Sequence, residues 1–206
     1  MSPIRFVAYS DYLCPWCYNA SLRLHRLVDE EPDVEVAWKS YLLQPRPAAR
    51  RNLETFRRYT ESWKRPAAEP DAGAFRTWAG DAGPPSHSVP AQLVAKTAAR
   101  LGPAAFRRMH ERLLAAYFGE SRDVSDDGTL AALWREAGLP EAEFARREDP
   151  ALLEEVLADH AEAVALGASG VPSIRLAEGD AVVTGALPYE SYQRWVGKLR
   201  AQASGS

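Results

Sequence analysis

Residues 10–17 read Ser10-Asp11-Tyr12-Leu13-Cys14-Pro15-Trp16-Cys17, and this segment carries the strongest structural signal in the chain. It follows Ile4 to Tyr9, a run rich in apolar and aromatic residues. Apolar residues occur at both odd and even positions of this run, as in a strand covered on both faces. From Pro15 onward, apolar residues recur at helical spacing, and proline is well tolerated at the first helical position. The two cysteines are therefore predicted to lie on the first turn of a helix that follows directly after a strand.

The spacing of the two cysteines has a chemical consequence. Three residues apart at a helix start, Cys14 and Cys17 place their thiols on one side of the first turn, close enough to form a disulfide. Cys14 would occupy the N-cap, where free backbone N–H groups and the positive end of the helix dipole favour a thiolate, the species that attacks a disulfide. Cys17 would be shielded by the helix and by Trp16, so it can resolve a mixed disulfide but is poorly placed to start one. We therefore predict a redox pair.

Three other interpretations of the cysteines compete with this one. A structural disulfide is disfavoured because such a small loop gains little stability on closing. A zinc site needs two further ligands, and no two of the four histidines have the paired spacing of a zinc motif, so no metal is predicted. Two unrelated buried thiols would rarely fall at this spacing between a strand and a helix.

Strand signals occupy both ends of the chain. Val34 to Trp38 alternates as a second strand, and a strand–helix–strand unit this short is normally a right-handed parallel crossover. Residues 173–176 and 181–184 flank a short glycine-containing connection typical of a hairpin. Pro188 then begins a final helix. The predicted fold class is α/β, with a βαβ unit and a ββα unit that together form a four-stranded mixed sheet with helices on both faces.

The middle of the chain is predicted to be an all-helical insertion. It is rich in Ala, Arg and Glu, and contains no convincing strand. Helix starts are predicted at Asn52, Pro103, Ser125-Asp126 and Asp149-Pro150, whereas Pro66 to Pro90 is predicted to be irregular. The apolar face of the helix after Asp149-Pro150 is predicted to carry Leu153, Val156, Leu157, His160 and Val164.

Composition limits the function classes. The chain has 206 residues, 46% of them hydrophobic, and a net charge of -3, which provides no positive field for nucleic acid or a membrane surface. No run approaches the roughly 20 apolar residues that span a bilayer. Met1-Ser2-Pro3 passes directly into the first strand without the apolar core of a signal peptide, so a cytoplasmic location is expected. Two cysteines are too few for a disulfide framework.

Three segments together carry a resemblance to a known family. Ser10 to Cys17, Gly170-Val171-Pro172-Ser173 and Gly185-Ala186-Leu187-Pro188-Tyr189 resemble the DsbA-like thioredoxin superfamily, and within it the FrnE-type cytoplasmic dithiol–disulfide oxidoreductases. The resemblance covers nearly the whole chain and implies a thioredoxin fold with a large helical insertion. The boundaries are then 1–45 and 168–206 for the thioredoxin-like domain and 46–167 for the insertion.

The resemblance also implies roles for individual residues. The first cysteine of the family is the nucleophile and the second resolves, which assigns Cys14 and Cys17 as catalytic. The proline before the third strand is cis and faces the disulfide, and the residue before it offers backbone N–H and C=O groups to an extended substrate. The candidate substrate-binding residues are Pro172, Val171, Trp16, Pro15 and Tyr12, with Tyr12 and Trp16 as an apolar lip.

One position departs from the family pattern. Thioredoxins and DsbA carry a buried acid on the first strand, six residues before the nucleophile, where this chain has Ala8. The nearest acid is Asp11, in the turn. We interpret Asp11 mainly as a turn former that caps local backbone.

The predicted activity is thiol–disulfide exchange, as a reductase, isomerase or oxidase, through a mixed disulfide at Cys14. Disulfide-containing proteins or small thiols are the expected partners, glutathione is a candidate co-substrate, and no bound cofactor is expected. The main alternative is a glutathione-dependent isomerase or transferase of the 2-hydroxychromene-2-carboxylate isomerase and kappa type, although these enzymes generally carry serine where Cys14 stands. A non-catalytic redox sensor is a third interpretation.

Overall fold

The computed structural model describes residues 3–48, 52–81 and 83–204. Its four strands form one sheet in the order β2-β1-β3-β4, in which β2 lies parallel to β1, while β3 runs antiparallel to both β1 and β4. The strands are β1 (Ile4–Ser10), β2 (Val34–Ser40), β3 (Ser173–Leu176) and β4 (Val183–Thr184). The predicted four-stranded mixed sheet is confirmed. The last strand is shorter than predicted, because only Val183 and Thr184 pair with β3.

Eight α-helices surround the sheet in the described part of the chain. They are α1 (Pro15–Glu30), α2 (Leu53–Thr60), α3 (Lys64–Ala67), α4 (Val89–Arg100), α5 (Pro103–Glu120), α6 (Asp127–Glu136), α7 (Pro150–Ala165) and α8 (Tyr189–Ser204). Two short 3-10 helices, Glu61–Trp63 and Glu141–Glu148, connect some of them. Among the described residues, no helix is long and apolar enough to cross a membrane.

Side-chain caps determine where several of these helices begin. Asn52, Asp126 and Asp149 each accept a hydrogen bond from a backbone N–H in the first turn of the following helix, as their sequence positions predicted. Helix α4 begins at Val89, inside the stretch predicted to be irregular. Pro90 lies in its first turn, where proline starts a helix as readily as it ends one.

The two faces of the sheet are covered by different helices. Helices α1 and α8 cover one face, with Phe6, Leu24, Ile174 and Tyr192 in a shared core. Helix α7 packs on the other face against β1 and β2.

The predicted apolar face of α7 is correct for Val156, which is buried, and His160 is half-buried, but the other three predicted residues are exposed. The buried positions of this helix are Leu152, Val156, Asp159 and Ala163, whereas Leu153, Leu157 and Val164 are 39%, 47% and 53% exposed. Helix α7 is rotated by about one residue from its predicted orientation. The reason is that Asp159 faces inward and accepts the backbone N–H of Ser40 in β2.

A second core is formed mainly by side chains of α2, α4, α5 and α6. Two side chains from the cysteine turn and α1 extend into it. Aromatic side chains dominate this core, among them Phe56, Trp63 and Phe118. Tyr12 and Tyr18, on either side of the cysteines, belong to the same cluster. The sequence around the cysteines is therefore packed against the helical part of the chain as well as against the sheet.

Polar contacts join α1 to the segment between α3 and α4. Asn19 donates to the carbonyl of Pro66 at 2.8 Å and accepts the N–H of Gly73 at 3.2 Å. Arg23, only 2% exposed, donates to both oxygens of Asp71 and to the carbonyl of Leu187. Asn19 and Arg23 are buried and have their polar groups paired, so these contacts hold the connection against one side of α1.

Candidate active site

The first turn of α1 has the geometry predicted for the cysteine pair. Cys14 is the N-cap, with an extended backbone (φ -98°, ψ 112°), and Pro15 follows at the first helical position. The Cys14 sulfur accepts the backbone N–H of Cys17 at 3.2 Å. Both cysteines are free thiols, and Cys14 and Cys17 are 4% and 1% exposed. The outer sulfur therefore interacts with the helix N-terminus and lies one turn from the inner cysteine.

The loop before β3 lies beside the Cys14 sulfur. The Val171–Pro172 peptide bond is cis, as the family resemblance implied. Cys14 donates its S–H to the carbonyl oxygen of Val171, with the sulfur 3.2 Å from that oxygen. Residues separated by 157 positions in the sequence thus meet at the thiol.

Cys17 is surrounded by groups with opposing effects on its thiol. Burial, together with the hydrogen bond and charge of the neighbouring Cys14 sulfur, raises the pKa of Cys17 well above its ordinary value. The backbone N–H of Asp11 and the hydroxyl of Ser10 act in the opposite direction. That hydroxyl is buried beside the sulfur and makes no regular hydrogen bond to any described residue. Cys17 is consequently held as a neutral thiol at neutral pH.

Asp11 is a buried carboxylate that holds the turn together. One of its oxygens accepts the N–H of Leu13 and the other accepts the N–H of Leu43, both at 2.7 Å. Burial raises the pKa of Asp11 to about 6, although hydrogen bonds from Ser88 and from the two backbone amides lower it. The bond to Leu13 is the local cap that the sequence predicted. No pattern in the sequence near Asp11 predicted the bond to Leu43, which follows β2.

Tyr12 is part of a buried hydrogen-bond chain that the sequence did not reveal. Its hydroxyl lies 2.8 Å from Nδ1 of His110 in α5, and Nε2 of the same ring lies 2.8 Å from the hydroxyl of Ser21. Burial and the neighbouring charge of His25 lower the pKa of His110 well below its usual range, so the ring is neutral. Burial and the charges of Asp11 and Cys17 raise the pKa of Tyr12. The neutral imidazole and phenol therefore support the turn without adding charge.

The structure separates the proposed substrate-binding residues into buried and accessible groups. Tyr12 is 4% exposed, so its ring supports the turn from inside. Pro15, Trp16 and Val171 are half-buried and supply the accessible surface beside Cys14, whereas Pro172 is buried. Within the described part of the chain, no cluster of three or more His, Cys, Asp or Glu residues has the arrangement of a metal site.

A cysteine pair on the first turn of a helix, next to a cis-proline before an antiparallel strand, is the site of a thioredoxin-fold dithiol protein. The family model of the DSBA-like thioredoxin domain matches residues 5–196, and the chain belongs to that family. A search of curated proteins finds no match.

Solved structures show the same fold. The chain is similar to the probable DsbA oxidoreductase of Streptomyces coelicolor (27% identity, 95% of this chain and 89% of that one, TM-score 0.74). It is also similar to the cytosolic disulfide reductase DsbM of Pseudomonas aeruginosa (21% identity, 98% and 100% covered, TM-score 0.75), which has also been solved with GSH. A periplasmic thioredoxin-like protein of Salmonella enterica is similar at 22% identity (96% and 84% covered, TM-score 0.61).

Proposed function

We propose that this protein exchanges disulfides with protein or small-molecule substrates, with Cys14 as the nucleophile and Cys17 as the resolving thiol. One observation carries the proposal. The Cys14 sulfur lies at a helix N-terminus, accepts the N–H of Cys17, and faces the residue before a cis-proline. Backbone N–H groups at a helix start favour a negatively charged sulfur, and the thiolate is the reactive form.

The reaction has two exchange steps. The Cys14 thiolate attacks one sulfur of the substrate disulfide, whose S–S bond breaks, and the released substrate thiolate takes up a proton. Cys17 then loses its proton and attacks the Cys14 sulfur, which forms the Cys14–Cys17 disulfide and releases the second substrate thiol. The substrate gains two electrons and two protons, and the dithiol is oxidised. The same steps in reverse oxidise a substrate dithiol.

The environment of Cys17 supports this order of attack. A thiol with a raised pKa stays protonated, so it does not compete with Cys14 for the substrate. Once Cys14 is in the mixed disulfide, its sulfur carries no negative charge, and one of the causes that raise the pKa of Cys17 disappears. The backbone N–H of Asp11 remains in place to stabilise the thiolate that forms.

Substrate binding is proposed at the accessible surface around Cys14. Val171 would offer backbone groups to an extended substrate segment, as in the addition of a strand, while Pro172 has no N–H that would obstruct the sulfurs. Pro15 and Trp16 would contact the residues next to the substrate cysteine, and Tyr12 would act by holding the turn beneath them.

We further propose that glutathione is a co-substrate, because two molecules of it would reduce the Cys14–Cys17 disulfide and form glutathione disulfide. The similarity to DsbM, which has been solved with GSH, supports this proposal. It also supports a reductase or isomerase role in the cytoplasm, whereas the Salmonella relative is periplasmic. Cell fractionation, with trapping of the thiols in their cellular redox state, tests both the location and the direction of exchange.

The central experiment compares Cys14→Ser with Cys17→Ser in the reduction of insulin by dithiothreitol. Cys14→Ser should abolish turnover, whereas Cys17→Ser should accumulate a mixed disulfide between Cys14 and the substrate, visible by mass spectrometry. Glutathione-dependent turnover of a small molecule that survives Cys14→Ser would favour the isomerase or transferase alternative. If the wild-type protein shows no turnover at catalytic stoichiometry, the enzyme proposal is wrong and a redox sensor remains.

A further inference from the structure

A cavity of about 320 Å³ lies along the outer edge of β2, between this strand and helices α4 and α5. Its wall includes the consecutive residues Trp38 and Lys39. Because consecutive side chains of a strand point to opposite faces, a cavity that contacts both spans the edge of the sheet. Neither cysteine lines it, and neither does Pro172. Its lining includes Ser10 and Tyr12, from the segment before the cysteines, but none of the accessible residues Pro15, Trp16 and Val171 around Cys14.

The edge of β2 offers backbone groups to the cavity. The N–H of Tyr41 donates to Ser10 of β1, and the direction of backbone groups alternates along a strand. The N–H and C=O groups of Val36, Trp38 and Ser40 therefore point away from β1, and these three residues all line the cavity. Asp159 accepts the N–H of Ser40 at 3.0 Å.

The outward amides of Val36 and Trp38 differ from that of Ser40. Neither donates a hydrogen bond to any residue that the structure describes. Strand β2 is the edge of the sheet, and an edge strand presents unpaired N–H and C=O groups to which another chain or a ligand can bind. The edge of β2 therefore supplies donors and acceptors in the arrangement that a neighbouring strand would use.

Flat rings form one wall of the cavity. The rings of Trp38 and His110 have centroids 4.5 Å apart, and Phe106 lies 5.1 Å from His110. The imidazole is neutral because burial lowers its pKa, so this wall carries no charge. Such a surface favours the face of another aromatic ring.

The charged residues of the opposite wall are already compensated. Lys96 donates to Glu155 at 2.8 Å and to Asp159 at 2.5 Å. Lys39 pairs with Glu162. Since both ammonium groups have carboxylate partners, the described residues of the cavity wall include no unpaired cation that would select an anion.

We propose that this cavity binds a small, neutral, planar aromatic molecule with an amide-like edge. The ring would lie against Trp38 and Phe106, and its donor and acceptor would pair with the outward backbone groups of Val36 and Trp38. The volume is at the small end of the range of ligand pockets, which suits a one- or two-ring compound.

Benzamide is the probe that tests this proposal, with benzoate and toluene as probes of similar shape. Benzoate carries a charge and lacks the N–H donor, and toluene lacks both hydrogen-bonding groups. Titration of the ¹⁵N-labelled protein should show saturable shifts of the Val36 and Trp38 amides with benzamide. We expect the other two probes to bind at least tenfold more weakly.

Ala99→Trp provides the variant test. Ala99 lines the cavity but is exposed, so a larger side chain blocks the cavity without overpacking the core. Ala161→Trp, at an exposed position of α7 outside the cavity, is the matched control. Ala99→Trp should weaken benzamide binding at least tenfold, and Ala161→Trp should leave it unchanged.

Three results would overturn the proposal. Benzamide could fail to shift the β2 amides at millimolar concentrations, or it could bind equally well to Ala99→Trp. Toluene or benzoate could also bind as tightly as benzamide, which would show that the edge of β2 does not select the ligand.

Discussion

Asp11→Asn tests how the turn before the cysteines is stabilised. The carboxylate of Asp11 is fully buried, and each of its oxygens accepts one backbone N–H, from Leu13 and from Leu43. Asparagine has nearly the same shape but does not titrate. Its amide nitrogen would face one of these N–H groups, so one hydrogen bond is lost at every pH, at a cost of about 1–3 kcal/mol.

The pH dependence of the free energy of unfolding follows from the raised pKa of Asp11. Burial raises this pKa from 3.8 to about 6. Between these two values the folded protein binds more protons at this carboxyl than the unfolded chain does, so the free energy of unfolding decreases as the pH rises. Each unit of pKa shift corresponds to about 1.4 kcal/mol, so above the folded pKa the ionisation of Asp11 lowers the free energy of unfolding by roughly 3 kcal/mol relative to low pH. About 2 kcal/mol of it falls between about pH 4 and pH 7.5.

Urea unfolding at these two pH values measures the effect. The relevant quantity is the free energy of unfolding of the wild type minus that of Asp11→Asn. In this difference the titration of all other carboxyls cancels. This difference should fall by about 2 kcal/mol from about pH 4 to about pH 7.5. Asp180→Asn, at an exposed position, is the control for the same substitution away from the turn. If the Asp11 difference is constant, Asp11 does not titrate in this window and the reasoning is refuted.

Three further substitutions test contacts around α1. Gly73→Ala would place a methyl group 2.3 Å from the ring of Tyr18, so we expect a loss of roughly 1–3 kcal/mol of unfolding free energy in urea. Ser10→Ala removes the hydroxyl that lowers the pKa of Cys17, and should slow the resolution of a mixed disulfide by roughly two- to tenfold in quenched-flow experiments, leaving the first exchange step unchanged. Arg23→Met removes the buried guanidinium from the partly exposed carboxylates of Glu69 and Asp71, and should lower the unfolding free energy by roughly 1–3 kcal/mol.

The sheet could be predicted because its signals are local. The strand before Cys14, the proline at the start of α1 and the alternation from Val34 to Trp38 each lie within one element. Element order then determined the mixed topology, since a short strand–helix–strand unit is parallel and a short glycine-containing connection is antiparallel. The roles assigned to the site residues and the domain boundaries stay predictions.

The orientation of α7 could not be predicted from its own sequence. The helix has apolar residues on two adjacent sides, one with Leu152 and Val156 and the other with Leu153 and Leu157. The second side is the more hydrophobic, yet the first is buried. Which side is buried depends on Asp159, whose hydrogen-bond partners lie in β2 and α4. The spacing of apolar residues within α7 contains no information about these distant partners.

The surroundings of the cysteines depend on contacts of the same distant kind. The turn is fixed by Asp11 through Leu43, by Tyr12 through His110 in α5, and by the Cys14 sulfur through Val171. These partners come from the segment after β2, from the helical part of the chain and from the loop before β3. The helical part therefore does more than cover the site, because it supplies a neutral hydrogen-bond partner directly beneath the turn. A cysteine pair at this spacing predicts the chemistry, but its geometry is set by residues from all three segments.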